Sequence, residues 1–174
     1  MAWLAGPPVL ALWAGLVAPE FGDWVGLGMD MIDRVAVFTE LAPRPAGGYS
    51  QAIVYGGVVY VAGQLPIDPA RGPRGQGALA DEPLATVAEQ TRRVLANVEA
   101  VLKAAGSDLS RVLRCTVYVS EVSLWGEVNR AYCEVFAAAG VGVGGVAMPS
   151  RTVVPTGPLH YGYQVEMDVV AGVR

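Results

Sequence analysis

Between Leu84 and Leu102 the apolar residues Leu84, Val87, Val94, Leu95, Val98, Val101 and Leu102 recur at three- and four-residue spacing. That is the period of one face of an α-helix. A helix carrying such a stripe has little stability alone and must bury it against another element. Pro83 suits the first turn, and Asp81 and Glu82 lie where the helix dipole favours negative charge. Gly106 suits the left-handed position that ends a helix. The partner for the stripe has to come from the rest of the sequence, which carries β-prone runs on both sides of it.

Gln51–Tyr55 and Val58–Gln64 are β-prone runs separated by Gly56-Gly57, a pair that accepts the positive φ of a two-residue primed turn. Arg34–Thr39 reads as a short strand, and Leu41–Gly48, with its prolines and glycines, as a loop. Pro66–Glu82 has no period and is rich in Gly and Pro, which predicts a surface loop. After the helix, Val112–Ser120 alternates. Leu113, Cys115, Val117 and Val119 fall on one face, and Arg114, Thr116, Tyr118 and Ser120 on the other. A second helix is expected from a cap near Ser123, with the stripe Leu124, Val128, Tyr132, Val135, Phe136 and Ala139 and an end at Gly140. Ser150–Val154 and Tyr163–Ala171 read as strands. The latter puts Tyr163, Val165, Met167 and Val169 on one face and Gln164, Glu166 and Asp168 on the other. The order β, β-hairpin, α, β, α, β, β predicts one α+β domain, a mixed sheet with two helices packed on one face.

Composition narrows the function classes. The 174 residues suffice for one domain, and 53% hydrophobic content is too high for a disordered chain. The net charge of -4, with no basic run longer than Arg92-Arg93, gives no footprint for a nucleic-acid partner. The two cysteines and one histidine form no CxxC and no Cys/His cluster, whereas a zinc site needs three or four gathered soft ligands, so no metal site is expected. Cys115 and Cys133 read as buried free thiols, the default in a cytoplasmic protein. Residues 1–30 read as an extension outside a domain of residues 31–174, with Met29 and Met31 as alternative starts. Its longest apolar run, Val9–Ala18, is about half a membrane span. No Lys or Arg precedes that run as a secretory signal requires, so no membrane association is expected.

The candidate chemistry lies near Arg151 and Glu166. A guanidinium is always charged and matches a carboxylate with a planar fork. If their strands form a simple antiparallel pair turning near Pro158-Leu159, Arg151 and Glu166 fall opposite each other. Spacing alone favours an ordinary cross-strand ion pair over a site. Gly140–Gly145 follows a helix and precedes none, so it is a glycine-rich loop and no phosphate cradle. His160 sits in a Pro/Gly-containing loop and reads as solvated or bracing. Asn129, beside the apolar stripe of the second helix, says little alone.

Several stretches together resemble the RidA (YjgF-like) family. They are Gly48-Tyr49-Ser50-Gln51; Tyr60-Val61-Ala62-Gly63-Gln64-Leu65-Pro66; Gln90 with Leu95-Ala96-Asn97-Val98; and Ala105-Gly106 before Val112–Val119. Val128-Asn129-Arg130-Ala131-Tyr132 with Phe136, Pro149-Ser150-Arg151 and Val165–Ala171 follow in the same order. The resemblance implies a chorismate-mutase-like fold assembled as a homotrimer with sites between subunits. It also implies cofactor-free hydrolysis of reactive enamines and imines, such as 2-aminoacrylate and 2-iminoalkanoates, to 2-oxo acids and ammonia. In that frame Arg151 holds the substrate carboxylate and Glu166 positions and activates water. Tyr49 lines the cleft, Gly63 lets the backbone close on the ligand, and Asn129 lies near the site.

Two positions depart from the family pattern. Ala62 stands where Ser is frequent, and Val153 where Cys is frequent, so polar contacts are lost on the substrate-binding wall. Two alternatives stand beside the enzyme. One is a trimeric protein that binds or senses a small carboxylate without turnover. The other is a ribonuclease, which the acidic balance and the lack of a basic stripe disfavour.

Overall fold

A computed structural model describes residues 34–73 and 85–174. The proposed extension at residues 1–30, and Asp81, Glu82, Pro83 and Leu84, lie outside the described residues. Six strands, β1 (Val35–Val37), β2 (Ala52–Tyr55), β3 (Val58–Gln64), β4 (Val112–Val119), β5 (Ser150–Pro155) and β6 (Val165–Gly172), form one sheet in the order β1-β2-β3-β6-β4-β5. Two helices, α1 (Val87–Ala104) and α2 (Trp125–Ala138), complete the α+β fold.

Helix α1 starts where its own capping box dictates. Thr86 Oγ1 accepts from Glu89 N, and the Glu89 carboxylate accepts from Thr86 N. Each satisfies a donor that a helix N-terminus leaves orphaned. The stripe residues Val94, Leu95, Val98, Val101 and Leu102 are fully buried. They meet Val59, Val61, Val117, Val165, Met167 and Val169 from one sheet face, and Val128, Tyr132 and Phe136 from α2. Burial of each such side chain contributes about 1.5–3 kcal/mol.

Helix α2 differs from expectation at its start. Ser123 lies in a preceding 3₁₀ turn and its hydroxyl turns to Glu121, so no side chain caps the helix. The Glu127 carboxylate instead accepts from Ala88 N, tying the first turns of the two helices together at 3.0 Å.

The Gly56-Gly57 hairpin forms as the sequence demands, with φ of 58° and 75° at the two glycines. Three expectations fail. Leu113 is exposed, because a bulge between Val112 and Arg114 turns it out of the alternation. Cys133 is exposed on the outer side of α2, whereas Cys115 is buried as expected. Most consequentially, the strands carrying Arg151 and Glu166 are not neighbours. β5 runs parallel to β4 at the sheet edge, and β6 inserts between β3 and β4, antiparallel to both.

Candidate functional site

That topology decides where the two candidate residues point. In β5, Arg151 pairs with Cys115, which is buried on the helix-facing side of the sheet. In β6, Glu166 pairs with Tyr118, and Val165 and Met167 on either side of it are in the core. Glu166 therefore faces away from the helices and Arg151 faces toward them. The register Glu166↔Tyr118↔Val154 places Glu166 level with Val154. Two strand spacings of about 4.8 Å and three residues of about 3.3 Å put the two Cα atoms roughly 14 Å apart. The cross-strand ion pair does not exist, and within one chain the two residues belong to separate clefts.

The first cleft, about 320 Å³, is lined by Val119, Val122, Trp125, Arg151, Val153 and Pro155. Arg151 is fixed from two directions by α2. Its Nη2 donates to Asn129 Oδ1 at 2.6 Å, and its guanidinium stacks 4.4 Å from the centroid of Tyr132. Tyr132 is itself held against Phe136, with ring centroids 4.5 Å apart. Asn129 and Tyr132 are three residues apart on one helical face, so the local sequence builds the cradle. The rest of the guanidinium fork has no partner among the described residues and is placed to receive a carboxylate. Beneath it the Cys115 thiol is pushed up to about 12, chiefly by burial and further by Asp168, with Arg151 opposing. It is a neutral packing group and no nucleophile.

The second cleft, about 510 Å³, brings together Tyr49, Ala62, Gly63 and Glu166 with Arg44, Gln51, His160 and Tyr161. A bulge between Val61 and Gln64 disrupts the β3–β6 ladder at Ala62-Gly63 and turns this segment against β6. A Cβ on Gly63 would overlap Glu166 Oε1 and sit 3.2 Å from its Cδ, so the glycine is what lets the carboxylate lie there. Glu166 is half-buried, and burial raises its pKa above the ordinary value. Nearby Asp168 adds to the rise and His160 opposes it. No described side chain donates a hydrogen bond to its carboxylate, which leaves it available to a water or ligand.

Buried amides hold both walls of this cleft. Gln51 accepts from Thr39 N and donates to Thr39 O and Pro43 O, pinning the loop next to Tyr49. Asn97 of α1 donates to Leu65 O and Ile67 O, both at 2.9 Å. Gln90 donates to Gln164 Oε1 and accepts from Gln164 N, fixing the chain two residues before Glu166. Such buried, satisfied amides specify geometry as well as stability.

The structure thus brings Tyr49, Ala62, Gly63 and Glu166 together in one cleft, and Arg151, Asn129 and Val153 at the other. Sequence reasoning missed His160, Tyr161 and Arg44 as cleft residues. Tyr161 has a φ of 59°, a conformation that a residue other than glycine adopts only under local constraint. Neither His160 nor Tyr161 carried a motif signal; the turn His160–Gly162 that places them is set by the return of the chain to the middle of the sheet. Among the described residues no group of His, Cys, Asp and Glu is gathered as a metal site would require.

Fold and clefts define a class: a small α+β protein with a six-stranded sheet, two helices on one face, and polar groups at the sheet rim in cavities sized for small molecules. The family model described as Endoribonuclease L-PSP matches residues 39–173. A RutC family protein of Pyrococcus abyssi is 37% identical over 138 residues, covering 79% of this chain and 96% of the relative. The 2-iminobutanoate/2-iminopropanoate deaminase of Rattus norvegicus is 31% identical over 143 residues, covering 82% and 93%. Among solved structures, the YjgF gene product of E. coli superposes with a TM-score of 0.69 at 28% identity, covering 80% of this chain and 99% of that one. E. coli TdcF with bound serine also gives 0.69, at 26% identity and the same coverage. The chain belongs to the RidA (YjgF-like) family.

Proposed function

We propose that the protein hydrolyses reactive enamine and imine intermediates, 2-aminoacrylate and 2-iminoalkanoates, to 2-oxo acids and ammonia, as a cofactor-free deaminase of the cytoplasm. The observation that carries this reading is the Glu166 carboxylate, half-buried against Gly63, with a raised affinity for protons and no hydrogen-bonding side chain among the described residues. Water adds to the C=N carbon as Glu166 takes one of its protons. Glu166 passes that proton to the nitrogen, giving the carbinolamine, which collapses to the ketone as its hydroxyl proton moves through Glu166 to the departing nitrogen and ammonia leaves. Relatives named for 2-iminobutanoate and 2-iminopropanoate support the substrate class.

Arg151 anchors the substrate carboxylate in this scheme. Because it faces the other side of the sheet from Glu166, one substrate cannot meet both residues in one chain. The reading therefore requires a second copy of the chain, in the homotrimer that the family resemblance implies, with the Arg151 cleft of one copy completed by Tyr49, Gly63 and Glu166 of the next. The catalytic unit is residues 31–174, with residues 1–30 outside it.

One observation favours a second reading. Arg151, Asn129 and Tyr132 form a carboxylate-ready cradle without any help from Glu166. A protein that only binds or senses a small carboxylate needs no more. The net charge of -4 gives no support to an RNA substrate.

The deciding experiment couples the protein to a serine or threonine dehydratase and follows decay of the transient imine. Acceleration over the spontaneous rate, lost in both Arg151→Ala and Glu166→Gln, is the expected result. No acceleration by the wild type removes the enzyme, and acceleration surviving Arg151→Ala removes the role given to the arginine.

A further inference from the structure

The wall around Arg151 is chemically one-sided. Apart from the guanidinium, every side chain lining that cleft of about 320 Å³ is apolar: Val119, Val122, Trp125, Val153 and Pro155. Two of these expose large apolar surfaces, Trp125 at 48% and Val122 at 71%. Both lie on the chain that leads from β4 into α2, the helix that also fixes the guanidinium through Asn129 and Tyr132. The helix that opens with Trp125 thus also fixes the anchor, which shares its strand with Val153. Val153 lies two residues from Arg151 on the same strand face, about 6.6 Å along β5. That span is comparable to the length of a branched 2-oxo acid from carboxylate to terminal methyls.

A ligand with a methyl side chain would leave most of this wall untouched. A branched aliphatic or aromatic side chain would cover Trp125 and Val153 while its carboxylate remained on Arg151. Polar side chains laid on the same wall would lose their hydration with no partner from it. We propose that this site selects 2-imino acids, and their 2-oxo acid products, with bulky apolar side chains, and that Trp125 and Val153 are the specificity-determining residues. The proposal rests on Arg151 being the carboxylate anchor, and it concerns binding as well as turnover.

Binding of stable 2-oxo acids to the wild-type protein, measured by titration calorimetry, tests it without requiring catalysis. The probes are 2-oxopropanoate, 4-methyl-2-oxopentanoate and 3-phenyl-2-oxopropanoate. One extra methylene in a matched apolar pocket is worth about 10-fold or more. The two larger acids are therefore expected to bind at least about 10-fold more tightly than 2-oxopropanoate. Trp125→Ala, and independently Val153→Thr, should each shrink that ratio by more than about threefold, with melting curves checking that each variant folds. Equal affinities for small and large acids, no binding of any, or a ratio untouched by both substitutions would overturn the proposal. The expected ratio without imine turnover sustains it while removing the deaminase reading. Turnover without side-chain discrimination in binding does the reverse.

Discussion

Gly63→Ala isolates the contact on which the proposed chemistry depends. The added Cβ overlaps Glu166 Oε1 and stands 3.2 Å from Cδ and 3.6 Å from Cγ. Gly63 has no positive φ, so the substitution adds no backbone strain of its own. The carboxylate is the far end of a flexible side chain, and restoring an ordinary contact moves its oxygen by about 1 Å. Turning the side chain to a poorer rotamer costs about 0.5–1.5 kcal/mol. For a protein of this size that lowers Tm by roughly 2–6 °C. Displacing a reacting group by about 1 Å costs on the order of 100-fold in rate. The expected variant is therefore folded, slightly less stable, and nearly inactive in the dehydratase-coupled imine assay. Glu166→Asp in the Gly63→Ala background, one methylene shorter, should recover the lost Tm without recovering activity. Activity of Gly63→Ala within threefold of wild type would refute the reasoning. A Tm loss well beyond 10 °C would show that the glycine serves packing rather than placement of the carboxylate.

Two further outcomes follow from the ionisable groups. Burial raises the Glu166 pKa, so the folded state holds this proton more tightly than the unfolded chain does. The stability this lends is fully present below the unfolded pKa and is lost as pH rises through the folded value. Glu166→Gln should therefore gain Tm relative to wild type as pH is raised from 4 to 8, and an advantage that is constant over this range would contradict the burial of the charge. In thiol titration with a disulfide reagent at pH 8, the exposed Cys133 should react rapidly and Cys115, pushed up to about 12, only after denaturation; two rapidly reacting thiols in the native protein would refute the placement of Cys115.

Local pattern made most of the elements legible. The α1 stripe from Val87 onward, the Gly56-Gly57 turn and the alternation of β6 reflect interactions within a few residues, and all three appear where the sequence puts them. Pairing of β5 and β6 was not legible in the same way. Both strands carry alternation, and alternation specifies a face but no neighbour. The tertiary register that places β6 between β3 and β4 separated Arg151 from Glu166 and sent them to opposite sides of the sheet. Leu113 failed for a related reason, since a single bulged residue inverts its side. Gln51, Gln90 and Asn97 recur in the family-like motifs, and the structure supplies a physical reason: each is a buried amide tying a loop or strand entry beside the Glu166 cleft. His160 and Tyr161 carried no local signal, because what brings them to the cleft is the path of the chain between the two strands.

The position of β6 also governs the order in which the molecule can be made. It follows the other five strands of the sheet along the chain yet lies in the middle of the sheet, bonded to β3 on one side and β4 on the other. Until it is available, β1–β3 and β4–β5 are two ribbons with unpaired edges and a half-covered core between them. A nascent chain emerging from the ribosome cannot close this sheet early, and joins its two halves only once the Val165–Gly172 segment is free. Glu166 lies on that closing strand. The residue given the water-activating role therefore enters its cleft in the same event that joins the two halves of the sheet, and no chain that stops short of β6 presents it.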